Sequence, residues 1–434
     1  MPDREKDDDF YQRLRDNIMR VNFARNIDYW LGIPVCFVLS VFYRIQKIFI
    51  PGRFEEIEPR KIMFLELSEM GSAILAYSAV KKAKETYPDA KLYFWIFKEN
   101  EDSVHILNVI PEENVITMRS KNILVLIIDT ARNLWRLWKE KIDVVIDMEL
   151  FSRFSGILSY LSGARIRVGF YRFSMEGLYR GNLHTHKVTY NPYIHISKNF
   201  LALVNSLKAN PEDMPFLKMN IADYQTTVPK IESSREAEEN IWRKLKEING
   251  QINKKNKIII LNPGINDILP LRRWPIEHYI ELAKELLKDE KVFIVLIGLK
   301  PQSSDAQFAS EAIRNKRCIN FAGKTTVNEL IDLCNISTLL ISHDSGATNL
   351  ASLTQVNMIV LFGPETPVLY APMTDNKEII YKNFACSPCV SAYNHRRSVC
   401  RDNKCLKMIT VKEVYNAAKI YINTKNNARE NSEN

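Results

Sequence analysis

Residues 338–367 read TLLISHDSGATNLASLTQVNMIVLFGPETP, and this stretch decides the fold. Residues 338–342 and 358–362 are apolar runs of strand length, rich in Leu, Ile and Val. Between them, 345–353 has helical spacing and follows Asp344-Ser345-Gly346, residue types that favour a helix start. Two largely apolar strands joined by one helix make a parallel β–α–β unit with both sheet faces covered.

The alternation extends upstream. Strands are expected at 258–261, 292–297 and 318–321, with helices at 276–288, 308–315 and 327–334. In the first half, strands are expected at 62–67, 92–97, 144–147 and 167–170, with helices at 72–86, 124–138 and 154–161. The chain therefore reads as two doubly wound α/β domains, 53–230 and 231–425. The Glu/Lys-rich stretch 232–255 opens the second. A leader, 1–52, precedes them, and the polar tail 426–434 is expected to be disordered.

A chain of 434 residues exceeds what one core usually supports. With 46% hydrophobic and 26% charged residues it is not a largely disordered chain, and 14 Gly with 18 Pro exclude a collagen-like one. The net charge of +9 suits an anionic partner without choosing among nucleic acid, membrane and phosphorylated substrate. No nucleic-acid-binding module is recognisable, so nucleic acid is set aside. Seven cysteines, an odd number, point to a reducing compartment. The acidic opening MPDREKDDD does not read as a signal peptide, and a cytoplasmic location is expected.

Residues 29–43, YWLGIPVCFVLSVFY, carry no charge and are flanked by Arg20, Arg25, Arg44 and Lys47. The run is shorter than the roughly 20 residues a spanning helix needs, and aromatics close both ends. It reads either as a segment seated at the membrane surface or as a helix packed on the first domain.

In open α/β sheets, ligands bind beyond the carboxyl ends of the strands. Three such ends in the second half carry Asn262-Pro263-Gly264 with Arg272-Arg273-Trp274-Pro275 downstream, His343 to Asn349, and Gly363-Pro364-Glu365-Thr366. Backbone amides at Ser345 and Gly346 could receive a pyrophosphate, and Arg272 and Arg273 supply positive charge. Asp344 suits a hydroxyl or a cation; the alternative is that Asp344 or Ser345 only caps the helix.

The stretch HDSGATNLASLTQVNMIVLFGPETP resembles the signature of glycosyltransferase family 9, the ADP-heptose:lipopolysaccharide heptosyltransferases and their relatives. RRWPIEHYIELAKEL resembles the family's basic-x-Trp-Pro motif with its following helix, and FAGKTTVNELIDLCN resembles the approach to the signature. LSEMGSAILAYSAVKKAKETYPDAKLYFWIF resembles the opening strand, glycine loop and helix. The resemblance spans about 61–418 and is tighter in the second half. It implies a GT-B fold: two Rossmann-like domains facing a cleft, the donor held by the C-terminal one and the acceptor toward the N-terminal one. It also implies inverting transfer that requires no cofactor, of heptose or a related sugar from an ADP-linked donor to a lipopolysaccharide core or other surface glycan. By matching position, Arg272 would bind the donor diphosphate, and Asp344, Ser345 and Gly346 would hold the donor. Thr325 and Thr326 would lie beside the nucleotide, Gly264 and Asn349 would complete the donor site, and Gly71 would shape the acceptor loop.

Two positions depart from the pattern. The family's first loop ends in Gly-Asp, the Asp being the proposed base, whereas here Gly71 precedes Ser72. Glu69 is expected to take over as base, with Glu66 the second candidate and a solvated or helix-dipole role for Glu69 the alternative. Glu69, Ser72 and Arg272 are thus the catalytic candidates. Asn349 stands where the motif usually has His, which would shift donor preference away from heptose. These departures keep open a non-catalytic sugar-nucleotide-binding relative, whereas a dehydrogenase lacks its G-x-G-x-x-G turn.

Residues 162–187 hold Arg165, Arg167, Arg172, Arg180 and Lys187 against a single Glu176. Arg165, Arg167 and Arg172 are the candidates for an anionic glycolipid acceptor, a solvated loop being the alternative. Cys386, Cys389, Cys400 and Cys405 have spacing compatible with a structural Zn²⁺ or an iron–sulfur cluster, or with a reduced loop that holds no metal, or with disulfides formed on oxidation. The expected partners are a nucleotide-sugar donor, an anionic glycolipid or glycan, and peripherally the inner face of the cytoplasmic membrane.

Overall fold

The computed structural model describes residues 25–49, 58–120, 122–171, 178–213, 217–221, 224–264, 269–300 and 303–423. The chain divides into two compact units, 1–227 with 392–396, and 228–391 with 397–434. The polar start and the tail 426–434 lie outside the described residues.

The first unit is built on β1 (Lys61–Leu65), β2 (Lys91–Phe97), β3 (Val115–Met118), β4 (Val144–Asp147), β5 (Ile166–Tyr171) and β6 (His186–Thr189). All pair in parallel in the order β3-β2-β1-β4-β5-β6, with Leu65 opposite Asp147 across the central pair. The helix expected over 72–86 is two helices, α2 (Met70–Leu75) and α3 (Tyr77–Thr86), sharing Ala76 as a junction. Then come α4 (Ile123–Glu140), α5 (Arg153–Leu161) and α6 (Ile196–Asn205). The connections through α4 and α5 run in one direction along the sheet, so right-handed crossover puts both helices on one face. Leu134 and Leu137 of α4 share a core with Leu158 of α5, Met63, Leu65, Tyr93 and Trp95.

The apolar leader forms α1 (Gly32–Phe49), continuous with a helical turn from Arg25. By length and composition the helix Arg25–Phe49 could cross a bilayer. Polar contacts along its length fasten it to the first unit. Asp28 accepts from Arg153 N at 3.0 Å and Phe154 N at 2.9 Å, Ser40 Oγ accepts from Asn182 N at 2.7 Å, and Tyr160 reaches Gln46 at 3.1 Å. Its small residues Gly32, Cys36 and Ser40, spaced by four, form the buried side. Gly181, at φ +64°, permits this approach: a Cβ there would stand 2.6 Å from the Cys36 carbonyl oxygen.

The second unit repeats the plan with β7 (Lys257–Asn262), β8 (Val292–Leu296), β9 (Cys318–Asn320), β10 (Leu339–His343), β11 (Asn357–Phe362) and β12 (Lys377–Tyr381), ordered β12-β11-β10-β7-β8-β9. Its helices include α7 (Arg235–Ile248), α8 (Ile276–Leu286), α9 (Ser303–Ile313), α10 (Val327–Ile336), α11 (Gly346–Ala351) and α12 (Val411–Asn423). Trp274, fully buried, donates its Nε1–H to the Ile409 carbonyl at 2.9 Å and packs on Tyr279 of α8. Asn403 donates to the carbonyls of Leu271 at 3.0 Å and Arg273 at 2.9 Å. The Trp-Pro motif is therefore a core anchor that fixes the arginine loop preceding it.

Candidate active site

Both sheets reverse strand order beside their first strand, between β1 and β4 and between β7 and β10. Such switch points are where open α/β sheets bind ligands. In each unit the carboxyl ends at that point carry the acidic side chains.

In the second unit, Ser342 lies opposite Asn262 across β10 and β7, and Asn262 Nδ2 donates to Ser342 Oγ at 3.1 Å and Ser345 Oγ at 3.2 Å. Ser345 occupies the N-cap of α11 without capping it through its side chain. Arg272 is held between two carboxylates, Glu365 Oε1 at 2.8 Å and Asp344 Oδ2 at 3.4 Å. Both acids are buried. Desolvation pushes Glu365 up to about 7 against the pull of Arg272, and raises Asp344 likewise. His343, also buried, is lowered to about 3 by desolvation and by Arg273 and Arg272, so it is neutral, with Nδ1 3.2 Å from the Tyr279 hydroxyl. Asn349 is buried and its Oδ1 has no hydrogen-bond partner among the described residues. Gly264 is buried two residues beyond β7. Thr326 is exposed and occupied: it caps α10 reciprocally with Glu329, and Thr325 precedes it.

In the first unit, Glu69 is the N-cap of α2 and Ser72 lies in the first turn. Ser72 Oγ donates to Glu69 Oε2 at 3.2 Å, and the Arg396 guanidinium donates to Glu69 Oε1. Gly71 sits between them in that turn. Glu149 Oε1 accepts from the amides of Leu67 at 2.8 Å and Ser68 at 2.9 Å, which fixes the loop that carries Glu69. Glu66 is buried, and desolvation, reinforced by Glu149, raises its carboxyl well above the usual range. Beneath lies a closed network: buried Asp147 accepts from Arg180, from Ser155 Oγ at 3.0 Å, and meets His184 Nε2 at 3.0 Å. Burial opposes the Asp147 charge, but Arg180 and its hydrogen bonds outweigh that and hold its pKa low. His184 is pushed down to about 4 by desolvation and Arg180.

The structure corrects the reading of 162–187 as an acceptor-facing basic stretch. Arg167 is buried, donating to the carbonyls of Leu183 and Ala164 at 2.6 Å, with its guanidinium over Tyr43 and Tyr160. Arg180 is buried in the Asp147 network. Arg165 is exposed but immediately precedes β5, at the sheet edge opposite the carboxyl ends. Arg172 lies outside the described residues.

The zinc or iron–sulfur expectation finds no support among the described residues. Among the described residues, no group of three or more His, Cys, Asp or Glu side chains is arranged to hold a metal ion. Cys405 is buried, packed where a Cβ on Gly363 would come within 3.0 Å of its Sγ, whereas Cys386 is exposed. Desolvation and then the other three thiols raise Cys405 to about 11, so it is held as a thiol.

Glu149, Asp147 and Arg396 are the members that residue patterns missed, while Glu365 stands in one of the three strand-end loops read from the sequence but carries no assigned role there. Glu149, Asp147 and Glu365 lie at or just past the carboxyl ends of β4 and β11, the same place in the sheet as Asp344 relative to β10. Arg396 comes from the distant segment 392–396, and no local signal ties it to Glu69.

The family described as glycosyltransferase family 9 (heptosyltransferase) matches residues 131–399. Lipooligosaccharide heptosyltransferase 2 of Haemophilus influenzae is 29% identical over 196 residues, covering 41% of this chain and 55% of that protein. The chain spans about half the length of the lipooligosaccharide heptosyltransferase 2 sequences it matches. Among solved structures, Escherichia coli ADP-heptose LPS heptosyltransferase II superposes with a TM-score of 0.63 at 18% identity, over 83% of this chain and 98% of that one. The family 9 glycosyl transferase of Veillonella parvula superposes at 0.64, also at 18% identity, over 86% and 99%. These likenesses establish the fold, the two-sheet GT-B class. With the family match covering more than half of its length, the chain belongs to glycosyltransferase family 9.

Proposed function

We propose that the protein is an inverting glycosyltransferase that moves heptose, or a related sugar, from an ADP-linked donor to a lipopolysaccharide core or similar surface glycan without a metal. The reading is supported by family membership and by relatives whose names specify heptosyl transfer. One observation carries it: Arg272 is held between Asp344 and Glu365 at the carboxyl ends of β10 and β11.

That arrangement suits a diphosphate leaving group. Two ionised acids would cancel the arginine's attraction for phosphate, but a carboxyl of pKa about 7 on Glu365 is partly protonated at neutral pH. Arg272 can then stabilise charge that develops on the departing diphosphate, with the amides of Ser345 and Gly346 beside it. Asp344 accepts from a sugar hydroxyl. Gly264 and Asn349 complete the donor set, and Thr325 adjoins the nucleotide.

Glu69 serves as the base. It takes the proton from the acceptor hydroxyl as the oxygen bonds to the anomeric carbon and the bond to the diphosphate breaks. Ser72 and Arg396 orient its carboxylate, and Gly71 leaves room in the same turn. The exposed apolar side of α1 seats the enzyme on the inner face of the cytoplasmic membrane, where a lipid-borne acceptor is presented.

A panel of ADP-, UDP- and GDP-sugars, offered with a lipid-linked core acceptor, tests the reading. Transfer from ADP-heptose is expected. Donor binding without transfer to any acceptor would leave only a sugar-nucleotide-binding relative.

A further inference from the structure

The helix α4 is amphipathic in the reverse of the usual sense. Its inward side carries Asp129 and Asn133 with Leu134 and Leu137. Asp129 is tied to Arg119 at 2.9 Å, and Asn133 donates to the Thr117 carbonyl at 2.9 Å. Its outward side is a single apolar stripe: Leu124, Ile127, Ile128, Ala131, Trp135 and Trp138, spaced i, i+3, i+4, i+7, i+11 and i+14. Leu124 is 67% exposed, Ile128 63%, Trp135 61% and Trp138 55%. A helix folding only for its own domain would turn that stripe inward.

The stripe does not stand alone. At its carboxyl end Trp138 Nε1 donates to the Leu161 carbonyl of α5 at 2.7 Å, while the neighbouring Tyr160 bonds Gln46 of α1. Thus α4 and α1 flank α5 in one helical layer. On α1 and the turn before it, Trp30, Phe37, Val41, Phe42, Ile45 and Ile48 are likewise exposed. Two unrelated segments therefore present apolar surface from the same layer, well beyond the scattered residues of an ordinary surface.

The rim is basic. Arg132, Arg136 and Lys139 border the stripe on α4, with Lys139 5.4 Å from the Trp135 ring centroid, and Arg44 and Lys47 border α1. The acids of these helices are engaged: Asp129 with Arg119 and Arg132, Glu140 with Lys61, and Asp28 with Arg153. An apolar stripe carrying two indoles beside a cationic border matches an anionic lipid surface, with indoles at the headgroup level and cations on phosphate.

We propose that α4 is a second membrane-seating element, so that the first unit lies on an anionic bilayer through α4 and α1 together. The proposal extends the membrane role given above to α1 and rests on it. The fastening of α1 along its length means that both helices lie in the membrane plane rather than across it.

The test uses the full chain and vesicles of phosphatidylglycerol and phosphatidylethanolamine. In Trp30→Phe the exposed indoles are those of Trp135 and Trp138, because Trp95, Trp242 and Trp274 are buried. Brominated phosphatidylglycerol is expected to quench that fluorescence, and no quenching would overturn the proposal without any disruptive change to α4. In parallel, Leu124→Ser with Ile128→Ser and Trp135→Ser is compared with Phe37→Ser with Phe42→Ser on α1. Each set is expected to weaken vesicle partitioning at least tenfold while the thermal midpoint holds. Wild-type binding by the α4 set with loss by the α1 set would overturn the role of α4 and leave that of α1. Wild-type binding by both would overturn both roles. Self-association abolished by the α4 set, with no vesicle binding by the wild type, would assign the stripe to a second copy and overturn the proposal.

Discussion

The two units share a sheet plan but solve opposite electrostatic problems at their switch points. In the second, one cation, Arg272, is clasped by two buried acids, and burial drives those acids toward the neutral form. In the first, acids outnumber cations at the strand ends, and each is answered differently. Asp147 has Arg180, Glu69 has Arg396, Glu149 has backbone amides, and the Glu66 carboxyl is pushed well above the usual range by desolvation. On the function proposed above, the cation in its cradle of titratable acids is the phosphate's partner. The carboxylate fixed at a helix start by a guanidinium and a hydroxyl is the proposed proton acceptor.

The sharpest way to break this comparison is Glu69→Gln, which removes the proposed base and keeps the shape. Steady-state turnover is expected to fall about 10²- to 10⁴-fold, while the donor dissociation constant stays within twofold. Loss of donor binding as well would mean that the two roles are not divided between the units.

Removing Arg180 tests whether the lower network of the first unit is structural. Arg180→Met leaves Asp147 buried without its charge partner, and denaturant unfolding is expected to show a loss of about 3–5 kcal/mol. A stable variant with lost turnover would instead assign the Asp147 network to the chemistry.

A smaller effect sharpens the second unit. As pH falls from 8 to 6, Glu365 gains a proton around its pKa of about 7 and stops competing for Arg272. ADP binding, followed calorimetrically, is expected to tighten severalfold relative to Glu365→Gln, in which no charge changes at that position. Parallel pH profiles for the two proteins would contradict this.

The second sheet was readable in unequal parts. Its central strands are largely apolar, so their runs are legible, and the strand-end rule leads from them to Asp344 and Arg272. In both sheets the short or edge strands β3, β6 and β12 are not legible, because runs such as His186-Lys187-Val188-Thr189 have too few apolar residues to register. Charge counting failed over 162–187 for a physical reason. Local sequence shows the sign of Arg167 and Arg180, but not that carbonyls and Asp147 wait for them inside the unit. Likewise the helical period of α4 was legible but the direction of its apolar side was not, since direction depends on which neighbours the sheet supplies. The Glu69–Arg396 pair joins residues 327 positions apart, and only the fold reveals it.

The division of labour rests on Arg272, and titration of ADP into the wild type, Arg272→Met and Glu69→Gln tests it most directly. The expected result is near-complete loss of binding, about 10²-fold or more, in Arg272→Met and wild-type affinity in Glu69→Gln. Undiminished ADP affinity in a folded Arg272→Met protein would contradict the assignment of the donor to the second unit's cradle.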